Sequence, residues 1–200
     1  MVSNKEIANV ITAFRKLPGA GPKSAPRMVY YLLGRPEEEV FQFADMLKEA
    51  KKKIKYCRRC CTITDQEFCP VCADGSRDPS TIMVIENPQA IEVFERIGKY
   101  NGLYHVLNGL ICPVRGITAE DIRLKELIKR LMKEPVKEVI LALNFNRDSE
   151  YTADYIAKLI KPAGIKVTRI ASGIPSGAEL ENIDEYTLGN ALANRKDYVP

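Results

Sequence analysis

Two Cys-x2-Cys pairs, Cys57 with Cys60 and Cys69 with Cys72, stand eight residues apart in a stretch too short to bury a core of its own. Four thiolates at that spacing can converge tetrahedrally on one zinc ion, and a metal staple supplies what a 24-residue segment (57–80) cannot draw from apolar burial. With four protein ligands the site is closed, so its expected role is structural. Cys61 and Cys112 have no partner at a useful spacing and read as small buried apolar residues. The chain opens with Ser3, Asn4, Lys5 and Glu6 instead of a charged-then-apolar export signal, so a reducing cytoplasm is expected and the cysteines are not read as disulfides.

Charge divides the chain around this module. Residues 1–56 hold 11 Lys/Arg against 6 Asp/Glu, whereas residues 81–200 hold 16 against 16, so the basic excess is N-terminal and points to a polyanion partner. No run approaches the length of a membrane span. The longest charge-free stretch, Tyr100 to Val114, is broken by Asn101, Gly102, Asn108, Gly109 and Pro113.

Hydrophobic periodicity supplies the rest of the frame. Ile7, Val10, Ile11, Phe14 and Leu17 follow helical spacing behind a capping box of Ser3 and Glu6, and Pro18 with Gly19 stops that helix. A second helix is predicted from Pro22 to Leu33 with Gly34 as terminator. A third runs from Pro36 to about Ile54, with Val40, Phe41, Ala44, Leu47 and Lys51 on one side. Beyond the cysteines, TIMVIE (81–86), YHVL (104–107), KEVILAL (137–143) and KVTRIA (166–171) read as strands. Helical stretches over 88–97, 118–133 and 152–160 lie between them, an alternation that predicts an α/β domain with a parallel sheet. A last amphipathic piece, Asp184 to Arg195, follows a Gly/Pro/Ser-rich loop at 173–177.

Leu17-Pro18-Gly19-Ala20-Gly21-Pro22-Lys23-Ser24-Ala25 joins the first two helices by a Gly-x-Gly turn. Backbone N–H groups and a helix N-terminus meet in such a turn, a place that suits a phosphate, with Lys23 and Arg27 on one side of the second helix to supply charge. A Gly-x-Gly turn by itself marks only a helical hairpin, so the basic pair carries the weight. His105, the only histidine, lies in a short apolar strand and reads as a hydrogen-bonded structural residue instead of a catalytic base.

These pieces, in this order, resemble the bacterial recombination mediator family RecR. LPGAGPKSAPR (17–27) is similar to that family's helix-hairpin-helix, CRRC and CPVC to its zinc module, and TIMVIE, YHVLNGLICPVRGI (104–117) and NFNRDSEYTADYIAKL (144–159) to its Toprim domain. GIPSGAELENIDEYTL (173–188) matches the segment near its end. The resemblance implies four parts: a DNA-binding hairpin over 1–56 with Gly19, Gly21, Lys23 and Arg27 as contacts, a four-cysteine zinc module over 57–80, a Toprim domain over 81–172, and a C-terminal segment over 173–200 that packs on a neighbouring subunit. It also implies a ring-shaped tetramer that clamps DNA, engages RecO through acidic Toprim residues or pairs with RecF, and helps load RecA on single strands coated by single-strand binding protein, in the cytoplasm at the nucleoid.

The chain departs from the family pattern at several points. Ala20 stands where a larger apolar residue is usual, and Pro26, fifth in a helix begun at Pro22, would lose a helix bond to Pro22. Ser149 stands at a glycine position, which is expected to alter the loop there. Toprim enzymes hold magnesium with a glutamate after the first strand and an Asp-x-Asp pair after a later one. Glu86 fits the first position, but Asn144-Phe145-Asn146 puts amides at the second. For Glu86, Asp148 and Glu150, at the carboxyl edge of the sheet, the resemblance implies a partner-binding face, with no catalytic residue. The alternatives are a divergent Toprim nuclease or primase and, third, a zinc-ribbon regulatory DNA binder.

Overall fold

The computed structural model describes residues 4–171, 173–195 and 197, and the chain divides between Ile54 and Lys55 into two compact units. The first unit is helical: α1 (Lys5–Phe14), α2 (Ser24–Leu33) and α3 (Glu37–Lys53). Ser3 lies outside the described residues. The cap on α1 is Asn4, whose side chain accepts from the N–H of Glu6. Helix α2 begins two residues later than the sequence predicts, so Pro26 is its third residue. The N–H of Ala25 still donates to Gly21 at 3.0 Å and Lys23 has helical backbone angles, so the missing N–H of Pro26 removes the next bond, to Pro22, as the sequence predicts. Gly34 ends α2 at φ −86°, without the left-handed cap that a glycine terminator implies. Among the described residues of this unit only Ala20, Ala25 and Val29 are buried. Of the apolar side predicted for α3, Phe41 and Leu47 are exposed, as are Phe43 and Met46 beside it, while Val40 and Ala44 are half-buried.

The second unit opens with a small hairpin, β1 (Lys55–Tyr56) antiparallel to β2 (Ile63–Thr64), followed by the one-turn α4 (Pro70–Ala73). Next come β3 (Asp78–Ile85), α5 (Gln89–Ile97), β4 (Gly102–Val106), α6 (Leu124–Leu131), β5 (Glu138–Ala142), α7 (Arg147–Ile160), β6 (Lys166–Arg169) and α8 (Glu185–Ala193). The four longer strands form one parallel sheet in the order β4-β3-β5-β6, with Val84 opposite both His105 and Leu141. Alternation along the strands supplies both faces. Ile82, Val84, Val139 and Leu141 pack with Leu124 and Leu127 of α6 and Ile156 and Ile160 of α7. Met83, Ile85 and Tyr104 pack with Ile91 and Phe94 of α5 on the other side. Because α5 and α7 cover opposite faces, the chain reverses direction between β3 and β5, where open α/β sheets form a crevice at the carboxyl ends.

Close approach fixes one glycine in this sheet. A side chain at Gly102 would stand 2.7 Å from the carbonyl oxygen of Thr81 and collide with the Tyr100 ring. Helix α6 is shorter than predicted, since residues 118–123 form turns held by the Asp121 carboxylate, which accepts from the Thr118 N–H at 2.8 Å. Helix α7 starts five residues earlier than predicted. No residue of α8 is buried, and Tyr186 and Leu192 are exposed. Among the described residues no helix is long and apolar enough to cross a membrane.

Candidate functional site

The cysteine module is built by its backbone. Cys57 donates its N–H to Thr62 at 2.7 Å and accepts from the N–H of Cys61 at 3.0 Å, closing a tight knuckle in which Cys61 takes φ 62°. Cys69 caps α4 and donates its N–H to Cys57 Sγ at 3.3 Å, which draws the second knuckle onto the first. Cys57, Cys60, Cys69 and Cys72 are all buried, their sulfur atoms all lie within 4.8 Å of one another, and those of Cys60 and Cys69 are 3.5 Å apart. Tetrahedral Zn–S bonds of about 2.3 Å place sulfurs about 3.8 Å apart, so the four fit one zinc ion. Hydrogen bonding within the set draws the Cys57 thiol far below its ordinary range, Cys60 first among its partners, and holds the Cys60 and Cys72 thiols up, Cys57 first in each case. A divalent cation replaces that sharing of protons with four thiolate bonds, and having no open position it supplies folding energy, not chemistry. None of the six cysteines is in a disulfide. Cys61 and Cys112 are buried, and burial pushes the Cys61 thiol up to about 11.

The module is fastened to the sheet. Val106 donates its N–H to Cys60 at 2.8 Å, and Asn108 Nδ2 donates to the Cys61 carbonyl at 2.8 Å. Arg59 makes a two-pronged pair with Glu134, at 3.0 Å on each prong, and the same carboxylate accepts from Arg130 Nε at 3.0 Å. Arg130 also donates to the Tyr104 carbonyl at 2.7 Å. His105 is fully buried, and its Nε2 donates to the Arg123 carbonyl at 2.7 Å. Burial lowers its pKa to about 4, so it stays neutral as a structural group.

In the helical hairpin, Gly19 takes φ 78° with open space around it, and the N–H of Ala20 closes the turn onto Leu17 at 3.1 Å. Ser24, which no sequence pattern marks, holds the turn: its Oγ accepts from the Gly21 N–H at 2.8 Å. Gly21 is therefore occupied within the turn. The N–H groups of Gly19, Lys23 and Ser24 donate to no acceptor among the described residues, and α2 has no side-chain cap. Lys23 and Arg27 are not buried, and neither has an ion pair among the described residues. Ala25 and Val29, on the buried side of α2, leave the basic pair facing outward.

At the carboxyl edge of the sheet, Glu86 follows β3 and Asn144 follows β5. Asn144 Nδ2 donates to Glu86 at 2.9 Å, an amide occupying the carboxylate where a metal enzyme would place a second acid. Asn146 caps α7 by accepting from the Ser149 N–H at 2.9 Å. Ser149 is thus a fully buried residue of the first helical turn. Asp148 pairs with Arg115 at 2.9 Å. Glu150 pairs with Arg169, which also donates to the Asn144 carbonyl and lies over the Phe145 ring. Each acid is held by a separate partner. Among the described residues the four cysteines alone form a set of three or more ligands able to share a metal. Arg115 and Arg169 escape sequence reasoning because their partners lie 33 and 19 residues away.

Four family models match the chain: RecR helix-hairpin-helix over residues 7–51, the RecR zinc finger domain with four cysteine ligands over 54–74, the Toprim domain over 80–171 and the RecR C-terminal model over 173–196. Together they run through both compact units.

Proposed function

The chain belongs to the RecR family, whose domains support a recombination-repair mediator role, and from that premise we propose that it is a non-enzymatic clamp for DNA. The hairpin carries the proposal. A left-handed Gly19, three unbonded turn amides and an outward-facing Lys23 and Arg27 make an anion site that reads phosphate and not base sequence. One such site neutralises few phosphates, so a ring of subunits, a tetramer in this reading, converging on one duplex gives the affinity. The four-part division into 1–56, 57–80, 81–172 and 173–200 belongs to the same proposal, with the uncovered Tyr186 and Leu192 supporting a C-terminal segment that packs on a neighbour. So does residence in the cytoplasm at the nucleoid.

Glu86, Asp148 and Glu150 serve in this reading as a docking face for a basic RecO-type or RecF-type mediator, and the assembly helps load RecA on coated single strands. Supporting that use over magnesium chemistry, the amide of Asn144 spends its hydrogen bond on Glu86. Charge reversal, Glu86→Lys with Glu150→Lys, is expected to weaken capture of the basic mediator at low salt while sparing duplex binding, measured by calorimetry and anisotropy. Magnesium-dependent cleavage by the purified chain, lost on Glu86→Ala, would overturn the reading in favour of a divergent Toprim nuclease.

A further inference from the structure

We propose that the cleft between the cysteine module and α6 is a second nucleic-acid contact, which takes the phosphates of a single strand and stacks a base on Phe68. The cleft measures about 720 Å³ and lies entirely within the second unit. Five cations line it against two carboxylates, Glu126 and Glu134, and the metal-set Cys72, while Arg58 is paired with Glu67.

The floor is where the charge is out of balance. Glu134 is the one carboxylate shared by Arg59 and Arg130, so the trio leaves a net positive charge in a place where Arg130 is only 4% exposed. Arg130 Nη2 is buried and donates to nothing among the described residues. A buried guanidinium nitrogen with no acceptor is costly, and an anion brought to the mouth of the cleft relieves that cost. The rim supplies the attraction. Lys129, in the last turn of α6, and Lys133, two residues past its end, have no ion pair among the described residues.

Phe68 decides between possible anions. It is 42% exposed on the wall formed by the cysteine module, beside Arg58 and Arg59. A cationic groove with an exposed aromatic face is the arrangement that holds single strands, because every base offers a face to stack and every phosphate a charge. An acidic polypeptide would use the cations and leave the phenyl ring idle. The cleft needs no duplex and no hairpin. It rests on the DNA-binding reading only in taking nucleic acid as the partner class.

The test uses the full zinc-loaded chain and fluorescent oligo-dT, with anisotropy followed across salt. Lys129→Ala with Lys133→Ala is expected to flatten the dependence of log K on log salt by about 1.4 for each subunit engaged, at about 0.7 per phosphate on single strands. Phe68→Ala is expected to weaken oligo-dT binding about tenfold without changing that slope. Lys129→Arg with Lys133→Arg should restore the slope, and zinc content should be unaltered in all three. If the two lysines merely complement the dipole of α6, the Ala pair will shift thermal unfolding and leave affinity and slope unchanged, which overturns the proposal. Loss of polyglutamate binding with oligo-dT binding intact also overturns it, assigning the cleft to an acidic protein. Failure of the hairpin reading shows elsewhere, as unaltered duplex binding by the Lys23→Ala/Arg27→Ala variant.

Discussion

Single residues bear the strongest constraints in the second unit. Cys57 closes its knuckle through two backbone bonds and also accepts from the N–H of Cys69, so it organises both halves of the metal set. Metal analysis of the parent is expected to give about one zinc equivalent per chain, and Cys57→Ala to lose it and to lower the unfolding temperature. Cys61→Ala should keep the metal, because Cys61 contributes its carbonyl, not its sulfur, to the neighbouring Asn108. A zinc-free Cys57→Ala that unfolds like the parent would contradict the structural role. His105 makes a second prediction. Folding depresses its pKa from 6.5 to about 4, so the unfolded chain takes up the proton first. This contribution is complete above pH 6.5 and falls by about 3 kcal/mol as pH drops toward 4. Denaturant unfolding across that window should show the loss in the parent and its absence in His105→Gln, whose amide can still donate to Arg123. Equal pH dependence in the two would show that the burial of His105 is not what sets it.

At the scale of elements, the tie between the cysteine module and α6 depends on one carboxylate. Glu134→Gln leaves the half-buried Arg59 and the buried Arg130 without an anion and is expected to destabilise the second unit by about 3 kcal/mol, read as a shift in denaturant midpoint. A change below about 0.5 kcal/mol would mean that the pair is merely solvated surface. Nothing in the sequence marks this tie, since Arg59 and Glu134 are 75 residues apart and look like ordinary solvated charges. What was legible is what has a local cause. The paired cysteines, the alternating strands with their helices, and the Gly19-to-Gly21 turn all follow from spacing or periodicity. The two-residue strands β1 and β2 are too short to leave a pattern, and α6 lost its first turn and a half to side-chain bonds at Thr118 and Asp121. The start of α2 turns on Pro26, whose missing N–H interrupts the ladder just after the bond from Ala25 to Gly21. The position of Ser149 turned on the same kind of boundary: Asn146 caps α7 early and takes the would-be loop into the helix.

For the molecule as a whole, three kinds of work fall to separate parts. Zinc holds the cysteine module in shape, the sheet presents carboxylates already paired to Asn144, Arg115 and Arg169, and the hairpin leaves three amides, those of Gly19, Lys23 and Ser24, and the cations Lys23 and Arg27 without partners among the described residues. That contrast between satisfied acids and unsatisfied donors is the reason to place DNA at the hairpin and a protein at the sheet edge. The most direct measurement is duplex binding by Lys23→Ala with Arg27→Ala over a range of salt, with zinc content and sedimentation checked alongside. A clamp built on the hairpin predicts severe loss of affinity for any base sequence and a slope flattened by about 1.8 for each subunit engaged, at about 0.9 per phosphate, with zinc and assembly state unaltered. Unchanged affinity and unchanged slope in a zinc-loaded, normally assembled variant would contradict it, because the hairpin would then not be where the chain holds DNA.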